Sequence, residues 1–510
     1  MSEESQVRSF YSGKNFLITG CTGFVGLCLI EKILRSIPDV GSICLLIRPK
    51  KGKEVFERLQ VFPYNPVFKK LLETEPIEIF YKLIPFQGDL GSENLGLSAD
   101  DRQYLIDNVN VVIHCAATLD VEESLKPTVQ INVLGTRRIM DLCQQMKNLK
   151  VMVHVSSAYV NSYLTEVHEK IYDPPADVES IISMTEKLTE EALIGMERTL
   201  IKDHPNTYTF TKHLAEHEVM KHSEKFPCTI VRPTMIVASW KEPVIGWTCS
   251  KVGPQGFLMG AAKGVVRRLP LAKNIIADYI PVDVVVNQLL VAGWNAGQSK
   301  SGLTVYHCSS STQKPFKWLM LEPVVNNMLH NYPLKSAVWY PYLDFVSSLW
   351  LFRLSAIFVH FIPAILLDML FMITGGKPIL FRLHKNVWNS LNRLEKFICT
   401  EWKFHNPKTI ELNEKMNKTD REMFYIDIET ISWEEYFVNL HLGVRKYLNR
   451  ESEKTLPAAR SKQSILKVAH IVWQVLMIIL VWFIVSCLSG LTMIQLAWCP
   501  PVIYSLYSFL

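Results

Sequence analysis

Tyr208 and Lys212, in the stretch YTFTK, are spaced so that one face of a helix would carry both side chains. A lysine ammonium beside a phenol stabilises the phenolate and lowers the tyrosine pKa from its ordinary value of about 10. Such a tyrosine can give a proton to a carbonyl oxygen while hydride arrives at the carbon. About one YxxxK pair is expected by chance in a chain of this composition, so the position of the pair in the fold decides its weight.

Two further polar residues could act with this pair. Ser157, in VHVSSAYVN, follows an apolar run and is placed to hydrogen-bond a substrate carbonyl. Its neighbour Ser156 is the alternative, and either hydroxyl could merely end a strand. Asn132, in NVLGT, could position a water that relays protons to Lys212, or it could cap the start of a helix. The candidate catalytic residues are therefore Ser157, Tyr208, Lys212 and Asn132.

A glycine-rich loop lies near the start of the chain, where FLITGCTGFVG places three glycines three residues apart after an apolar run. Gly20 permits a tight turn off a strand, Gly23 lets the backbone approach a pyrophosphate, and Gly26 lets the next helix pack closely. The pyrophosphate would lie at the helix N-terminus, where free N–H groups favour negative charge. The loop predicts a bound dinucleotide, and Lys212 could hold the ribose of its nicotinamide.

The residues after the second predicted strand bear on which dinucleotide binds. NAD-binding domains usually end this strand with an acidic residue that binds the ribose hydroxyls. Here the run is ICLLIRPKKGK, which supplies Arg48, Lys50 and Lys51 instead. A cationic pocket suits a 2′-phosphate, and arginine can grip it with two hydrogen bonds. The sequence favours NADPH over NADH, and the alternative is a solvated basic loop.

Short apolar runs recur along the first 330 residues, with longer mixed segments between them. Continuous apolar strands separated by helices are typical of a parallel sheet, so we predict an α/β, Rossmann-type doubly wound fold. The predicted strands are Asn15–Thr19, Ile43–Ile47, Leu83–Phe86, Val111–Cys115, Val151–Val155, Thr229–Val231 and Leu303–His307. The clearest helices are Leu27–Ile37 and Gly135–Met146. In this order, Tyr208 and Lys212 lie between the fifth and sixth strands.

The length, net charge and cysteine content of the chain limit the classes of protein to which it can belong. A chain of 510 residues is expected to form more than one domain. The net charge of +5 argues against nucleic acid as the main partner and suits an anionic membrane or an acidic ligand. The eleven cysteines form no CxxC pair, so we expect neither disulfides nor a metal site, and the polar N-terminus has no secretory signal.

Two apolar segments follow the predicted sheet. Val468–Leu488 contains 21 residues without a formal charge, which is enough to cross a bilayer core of about 30 Å. Basic residues precede it, which favours a cytosolic body, while a buried core helix is the alternative. Leu354–Thr374 contains Asp368, which is costly in a spanning helix. We expect this second segment to lie in the membrane interface or against the catalytic domain, with a true span as the alternative.

These features divide the chain into four parts. We predict a dinucleotide-binding domain over residues 12–330 and a hydrophobic membrane-associated or linker segment over 331–376. A smaller helix-rich C-terminal domain over 377–455 and a transmembrane helix over 468–488 would follow.

The spacing GxxGxxG resembles that of extended short-chain dehydrogenases/reductases. Motifs of that superfamily follow in order: GDL at Gly88–Leu90, HCAAT at His114–Thr118 and NVLGT at Asn132–Thr136. The resemblance implies that Asp89 contacts the adenine. It also implies a set of cofactor-binding residues: Thr19, Gly20, Thr22, Gly23, Phe24, Val25, Gly26, Arg48, Lys51, Asp89, Leu90, Ala116, Ala117, Tyr208, Lys212 and Pro233.

From residue 12 to about 455 the chain resembles the alcohol-forming fatty acyl-CoA reductases. The matching motifs are KEPVIGW at Lys241–Trp247, KVGPQG at Lys251–Gly256, DYIPVDVVVN at Asp278–Asn287, FICTEWKFHN at Phe397–Asn406, FYIDIETISWEEYF at Phe424–Phe437 and GVRKYL at Gly443–Leu448. The chain departs from the family at Ser157, where threonine is common, and in CSKVGPQG, where the family more often has Asp-Asn before the glycine.

The family resemblance implies a reaction and a location. Fatty acyl-CoA would be reduced by two NADPH to a primary alcohol, through an aldehyde, with release of CoA. The expected partners are acyl-CoA and membrane lipid, with a cytosolic catalytic domain on the endoplasmic reticulum or peroxisome. The alternatives are a sterol or nucleotide-sugar reductase of the same branch, or a non-catalytic NADP(H) sensor.

Overall fold

The computed structural model describes residues 3–50, 52–120, 122–373 and 375–509. Its described part is built around a parallel sheet of seven strands in the order β3-β2-β1-β4-β5-β6-β7. The strands are β1 (Phe16–Thr19), β2 (Ile43–Ile47), β3 (Leu83–Gln87), β4 (Val111–His114), β5 (Val151–Val155), β6 (Pro227–Pro233) and β7 (Gly302–Cys308). All seven predicted strands are confirmed, with differences of one or two residues at their ends.

The apolar runs form these strands because the central part of the sheet is covered on both faces. Every residue of β1, β2, β4, β5 and β6 is buried. Phe16 of β1 pairs in register with Ile43 on one side and Val111 on the other. The carboxyl ends of the central strands therefore meet at one edge of the sheet, where ligands of open α/β folds bind.

Helices between the strands cover the sheet. The helices discussed below are α1 (Phe24–Ser36), α2 (Val55–Gln60), α3 (Ala99–Asn108), α4 (Gly135–Gln145), α5 (Thr207–His222) and α6 (Val282–Ala296). Helix α6 packs against α1, and α4 packs against both α3 and α5. The two helix sets pack on opposite faces, which confirms the predicted doubly wound arrangement.

The chain forms two compact units that are discontinuous in sequence. The first unit comprises Met1–Cys249, Ile276–Phe316 and Glu401–Tyr436, and the second comprises Ser250–Ile275, Lys317–Thr400 and Phe437–Leu510. The segment Glu401–Tyr436, which lies within the predicted C-terminal domain, thus groups with the sheet. The predicted domain boundaries at residues 330, 376 and 455 divide the chain by its sequence and not by its compact units, and they stay predictions.

The first unit also contains short helices, helical turns and strands. They are Gln6–Tyr11, Pro66–Phe68, Leu71–Thr74, Ile77–Lys82, Glu93–Gly96, Leu125–Thr128, Val129–Leu134, Ala158–Asn161, Val178–Lys187, Glu190–Ile201, Pro407–Lys415 and Lys418–Met423, with strands Glu166–Val167, Met235–Val237, Ile276–Ala277, Tyr279–Pro281 and Lys403–Phe404. Strand Lys403–Phe404 pairs with Glu166–Val167, and Thr409 Oγ1 donates to Glu169 Oε1 over 3.0 Å. These contacts attach the segment Glu401–Tyr436 to the sheet unit.

The second unit is mainly helical. Its helices are Pro254–Ala262, Trp318–Met320, Glu322–Asn331, Leu349–Ala356, Ile357–Phe361, α7 (Ile362–Ile373), α8 (Leu380–Cys399), Val444–Leu448, Glu453–Thr455, α9 (Leu456–Ser489) and α10 (Cys499–Phe509), and Trp433–Gly443 enters it from the first unit. Strands Arg268–Pro270 and Asp344–Val346 pair in parallel within it. This composition confirms the expectation of a helix-rich C-terminal region.

Two helical segments of the second unit match the predicted apolar segments. Within the described ranges, Leu349–Ile373 and Glu453–Ser489 are long and apolar enough to cross a membrane, judged by length and composition. About a third of the apolar window of Leu349–Ile373 is buried (35%), whereas none of the window of Glu453–Ser489 is. The second helix therefore presents its apolar side chains on the surface and is not a core helix of this structure.

Asp368 has a structural role in the first of these segments. Its carboxylate accepts backbone hydrogen bonds from Ile379 (3.1 Å), Leu380 (3.0 Å) and Phe381 (2.8 Å) at the start of α8. Free N–H groups at a helix N-terminus favour a carboxylate, which offsets the cost of burying Asp368. The Asp368 carboxylate, which makes a spanning helix unfavourable, thus connects α7 to α8 in a helical hairpin.

Candidate active site

The glycine loop connects β1 to α1 with little space for side chains. Gly20 has a φ of +70°, and a Cβ there would lie 2.8 Å from the Ala116 nitrogen. A Cβ at Gly26 would lie 2.3 Å from the Gly20 carbonyl oxygen, so the helix and turn pack as the motif requires. Gly23 precedes α1 and no side chain caps the helix there. The free N–H groups and the open backbone fit a dinucleotide pyrophosphate.

The remaining loop residues place their side chains around this turn. Thr19, buried at the end of β1, accepts a hydrogen bond from the Ala116 nitrogen at 3.1 Å, which ties the first strand to the fourth. Phe24 begins α1, where Val25 follows, and its ring lies 5.4 Å from the ring of Trp247. Trp247 ends the KEPVIGW motif, so this motif packs on the glycine loop.

The cationic group after β2 lies beside the residue expected at the adenine. Arg48 is exposed, and its Nη1 lies 4.0 Å from Oδ2 of Asp89 at the end of β3. Lys51 lies outside the described residues, and Lys50 forms an antiparallel bridge with Lys53. Arg48 and Asp89 are thus brought to one side of the glycine loop.

Arg58, on α2, is a residue that the sequence analysis missed. Its Nη2 donates to Thr22 Oγ1 in the glycine loop over 3.1 Å, and its Nη1 donates to the carbonyl oxygen of Arg48. It therefore adds a second guanidinium beside Arg48. A helix starting shortly after the basic run could have indicated it, because one turn of that helix returns a side chain to the loop.

The other expected cofactor contacts lie at the same edge of the sheet. Leu90 is buried after β3, and its carbonyl oxygen accepts from Arg138 over 2.6 Å. Ala116 and Ala117 follow β4, and Pro233 ends β6. Apart from Lys51, the structure brings the predicted cofactor residues together along this edge.

Tyr208 and Lys212 lie on the first turns of α5, whose start is capped by Asn206 accepting from the Thr209 nitrogen at 2.9 Å. Tyr208 is hydrogen-bonded to the Ser157 hydroxyl. Lys212 is buried, and its Nζ donates to the Val155 carbonyl oxygen over 2.6 Å. The helix therefore places the tyrosine and the lysine against the end of β5, next to Ser157.

The pKa of Tyr208 differs from the sequence-based prediction. Burial raises it to about 12, and the hydrogen bond with Ser157 opposes the rise. Burial also lowers the pKa of Lys212 to about 8, and the carboxylate of Glu216 is the main group that opposes this shift. The expected lowering of the phenol pKa by Lys212 is wrong for this structure, because burial dominates both groups. Tyr208 is thus a protonated acid at neutral pH.

The two adjacent serines have different partners. Ser156 donates to Glu216 Oε1 over 2.6 Å, and Glu216 also pairs with Arg232. The Ser157 oxygen accepts from the Tyr159 nitrogen at 3.3 Å and is bonded to Tyr208. Only Ser157 is therefore directed to the tyrosine, whereas Ser156 belongs to a buried ion pair.

Asn132 lies inside a helical segment, so the alternative that it caps a helix start is wrong, and its part in a proton relay stays a prediction. It is buried within Val129–Leu134, which continues directly into α4. Its Oδ1 accepts from the Thr118 nitrogen at 2.9 Å, and its Nδ2 donates to Thr211 Oγ1 over 3.0 Å. Asn132 thus fixes the loop after β4 to the residue preceding Lys212.

The geometry defines an oxidoreductase site on a parallel α/β sheet with a dinucleotide-binding loop. A family model for NAD binding, described as "Male sterility protein", matches residues 18–289, and a second model with that description matches 359–451. The dinucleotide is therefore a nicotinamide cofactor. Among solved structures, the reductase domain of a Mycobacterium tuberculosis non-ribosomal peptide synthetase has a TM-score of 0.56 at 17% identity, covering 87% of this chain and 95% of that one. The terminal reductase domain of the myxalamid pathway has a TM-score of 0.55 at 17% identity, with coverages of 86% and 92%.

Similarity to proteins of known sequence extends over nearly the whole chain. The Drosophila melanogaster protein CG8306, provisionally named a fatty acyl-CoA reductase, is 54% identical over 99% of both chains. Fatty acyl-CoA reductase 1 of Rattus norvegicus and that of Homo sapiens are each 36% identical over 93% of this chain and 92% of theirs. The chain belongs to the fatty acyl-CoA reductase family.

Proposed function

We propose that this protein reduces long- or very-long-chain fatty acyl-CoA to the primary alcohol with two NADPH per turnover, through an aldehyde. The observation that carries the proposal is the Tyr208 hydroxyl bonded to Ser157, with Lys212 one helical turn further along α5. The family relatives named fatty acyl-CoA reductase support the substrate class.

The residues at the end of β5 would handle the carbonyl oxygen. When bound, the nicotinamide supplies hydride to the carbonyl carbon in both steps. Ser157 donates a hydrogen bond to the carbonyl oxygen and Tyr208 gives it a proton as negative charge develops. Lys212, charged below a pKa of about 8, would hold the ribose of the nicotinamide beside this carbonyl. In the first step the C–S bond of the resulting hemithioacetal then breaks, the proton of its hydroxyl passes to the leaving sulfur, and CoA leaves as the thiol while the aldehyde C=O bond forms.

The same residues would serve the second step, because an aldehyde needs a proton at the same oxygen as its carbon accepts hydride. Tyr208 must regain a proton between the steps. Each step consumes one reduced cofactor and one proton, so acyl-CoA, two NADPH and two protons give alcohol, CoA and two NADP⁺.

Selection of NADPH is proposed to depend on two guanidinium groups. Arg48 is exposed at the end of β2, and Arg58 lies next to it and to Thr22. Two guanidinium groups with free N–H donors match the geometry and charge of a 2′-phosphate. The absence of an acid at the end of β2 removes the partner that NAD enzymes use for the ribose hydroxyls.

Membrane attachment is proposed through the apolar helix at 468–488, with Leu349–Ile373 lying in the interface. The exposed apolar surface of the Glu453–Ser489 segment supports attachment, because such a surface is costly in water. Fatty alcohol and the acyl chain both partition into lipid, so an enzyme at the bilayer has direct access to them.

The proposal is tested with purified full-length protein in detergent, given NADPH and either palmitoyl-CoA or a 3-ketosteroid. We expect NADPH oxidation and hexadecanol with palmitoyl-CoA only. Steroid reduction without acyl-CoA reduction would assign the site to another reductase of the same fold, and binding of NADPH without turnover of either substrate would indicate a sensor.

A further inference from the structure

The imidazole of His154, on β5, contacts the ammonium of Lys212. Its side chain has no solvent exposure, and its Nε2 lies 3.2 Å from Lys212 Nζ. The imidazole also lies 5.3 Å, ring to ring, from His114 on β4. The reaction proposed for Tyr208 and Lys212 gives no role to this histidine, which lies in an otherwise apolar strand.

The contact with His154 limits the number of Lys212 N–H donors that remain for a ligand. A lysine ammonium has three N–H donors and no acceptor. In Lys212 one donor reaches the Val155 carbonyl oxygen at 2.6 Å and a second reaches His154. One donor remains, and the two fixed ones determine its direction. Both fixing partners belong to β5, the strand that also leads to Ser157.

His154 can accept this bond only while its Nε2 carries no proton. Burial, with the positive charge of Lys212 and the neighbouring His114, holds the pKa of His154 well below its usual value, so the ring is neutral. With Nε2 accepting, the ring proton lies on Nδ1, which has no hydrogen-bond partner among the described side and main chains. The tautomer that places an acceptor at Nε2 is therefore the one that bonds to Lys212.

We propose that His154 is a positioning residue for the reductase reaction, which holds the Lys212 ammonium charged and aims its remaining N–H at the cofactor. The inference rests on the proposed function of Tyr208 and Lys212. A hydrogen bond to a charged group favours the charged form, so His154 supports the ammonium that burial disfavours.

Other titratable groups also face Lys212. Glu216, one turn further along α5, favours the ammonium through its charge, but its carboxylate is bound by Arg232 and Ser156. Cys115 follows β4, and burial raises the pKa of its thiol to about 12, so it is neutral. Burial and Lys212 lower the pKa of His114 to about 3, so it is also neutral. Among these groups His154 is the one that accepts a hydrogen bond from Lys212 Nζ.

The test compares His154→Gln with His154→Met, two side chains of similar length that differ in having an acceptor. We expect His154→Gln to keep most of the activity. We expect His154→Met to lower kcat about tenfold and to move the alkaline limb of the kcat/KM profile to lower pH by about one unit, because a lost hydrogen bond to a charge is worth about that much. His222→Met, at a buried histidine at the end of α5, is the control for packing loss and should shift neither quantity.

A second readout does not depend on acyl-CoA. The affinity for NADPH is measured by cofactor fluorescence between pH 6 and pH 10. As the pH is raised, the affinity should begin to fall at a lower pH in His154→Met than in wild type. Equal impairment of the Gln and Met variants, or an unshifted alkaline limb in His154→Met, would overturn the inference. Failure of wild type to reduce acyl-CoA would instead contradict the proposed function, and the NADPH titration would still decide the role of His154.

Discussion

Glu216 on α5 and Arg232 on β6 form an ion pair whose side chains are fully buried, with Oε2 and Nη2 2.6 Å apart. Burial alone would raise the pKa of Glu216, but the Arg232 charge and hydrogen bonds hold it below its usual value. The pair fixes the helix that carries Tyr208 and Lys212 to the sheet, and Ser156 completes it. Breaking a buried pair leaves an uncompensated charge, so its integrity matters for the fold of the site.

We expect Glu216→Gln to destabilise the protein by about 3–5 kcal/mol, because Arg232 would remain buried without a counter-charge. Thermal unfolding, compared with that of wild type, measures the effect. Glu179→Gln is the matched control: its carboxylate pairs with Arg137 at 2.6 Å but is 60% exposed, so the loss should be below about 1 kcal/mol. Equal shifts in the two variants would show that the buried pair has no special role.

Tyr208→Phe should lower kcat by about two decades or more, the usual contribution of a general acid, while NADPH binding is retained. The phenyl ring keeps the packing on α5 and removes the proton. Tyr159→Phe is a control, since that tyrosine is on the helical turn after β5 and has no part in the proposed chemistry. Near-normal alcohol production by a folded Tyr208→Phe protein would remove Tyr208 from the mechanism.

Arg48→Ala and Arg58→Ala should each raise the KM for NADPH while changing that for NADH little, and the double variant should lose more. The reason is that each guanidinium is proposed to bind the 2′-phosphate, which NADH lacks. Arg198→Ala, at an exposed position on Glu190–Ile201, controls for the loss of one positive charge. An equal rise for both cofactors would place the arginines at the shared pyrophosphate.

The pH dependence follows from Lys212, whose pKa burial lowers to about 8. The charged form exists below that pH, and the mechanism needs it, so kcat/KM should fall as pH rises through about 8. Steady-state rates with palmitoyl-CoA between pH 6 and pH 10 measure the limb. A profile that stays level to pH 10 would mean that the charge on Lys212 is not required.

A chain that ends after Gln474 should lose integral membrane attachment and keep its reductase activity. This end point retains His470, which accepts a hydrogen bond from Trp339 Nε1 at 3.1 Å, and removes most of the apolar helix. Carbonate extraction followed by reductase assay of each fraction tests it. If the shortened chain resists extraction as well as the full chain does, Leu349–Ile373 is the anchor. A soluble, folded and inactive product would contradict the separation of anchor and site.

The sheet could be predicted because strands buried on both faces are nearly continuous apolar runs, as ICLLI is. The glycine loop was predictable in part, since the positive φ of Gly20 and the contact of Gly26 with the Gly20 carbonyl are local, although Gly20 also lies against Ala116.

Long-range contacts could not be predicted in the same way. Arg58 joins the site only because α2 returns to the glycine loop, and Asn132 lies inside a helix where its sequence also suited a cap. Lys212 is close to His154 only because α5 packs over β5. The pKa of Tyr208 depends on burial, which no spacing of residues along the chain shows.

The fate of the transferred hydride tests the central proposal most directly. NADPH carrying deuterium at the transferred position of its nicotinamide is supplied with palmitoyl-CoA, and the lipid product is analysed by mass spectrometry. Two hydride steps at one site predict hexadecanol with two deuterium atoms at C1 from wild type and almost none from Tyr208→Phe. Release of aldehyde with a single deuterium as the end product, or equal alcohol yields from both proteins, would contradict the account.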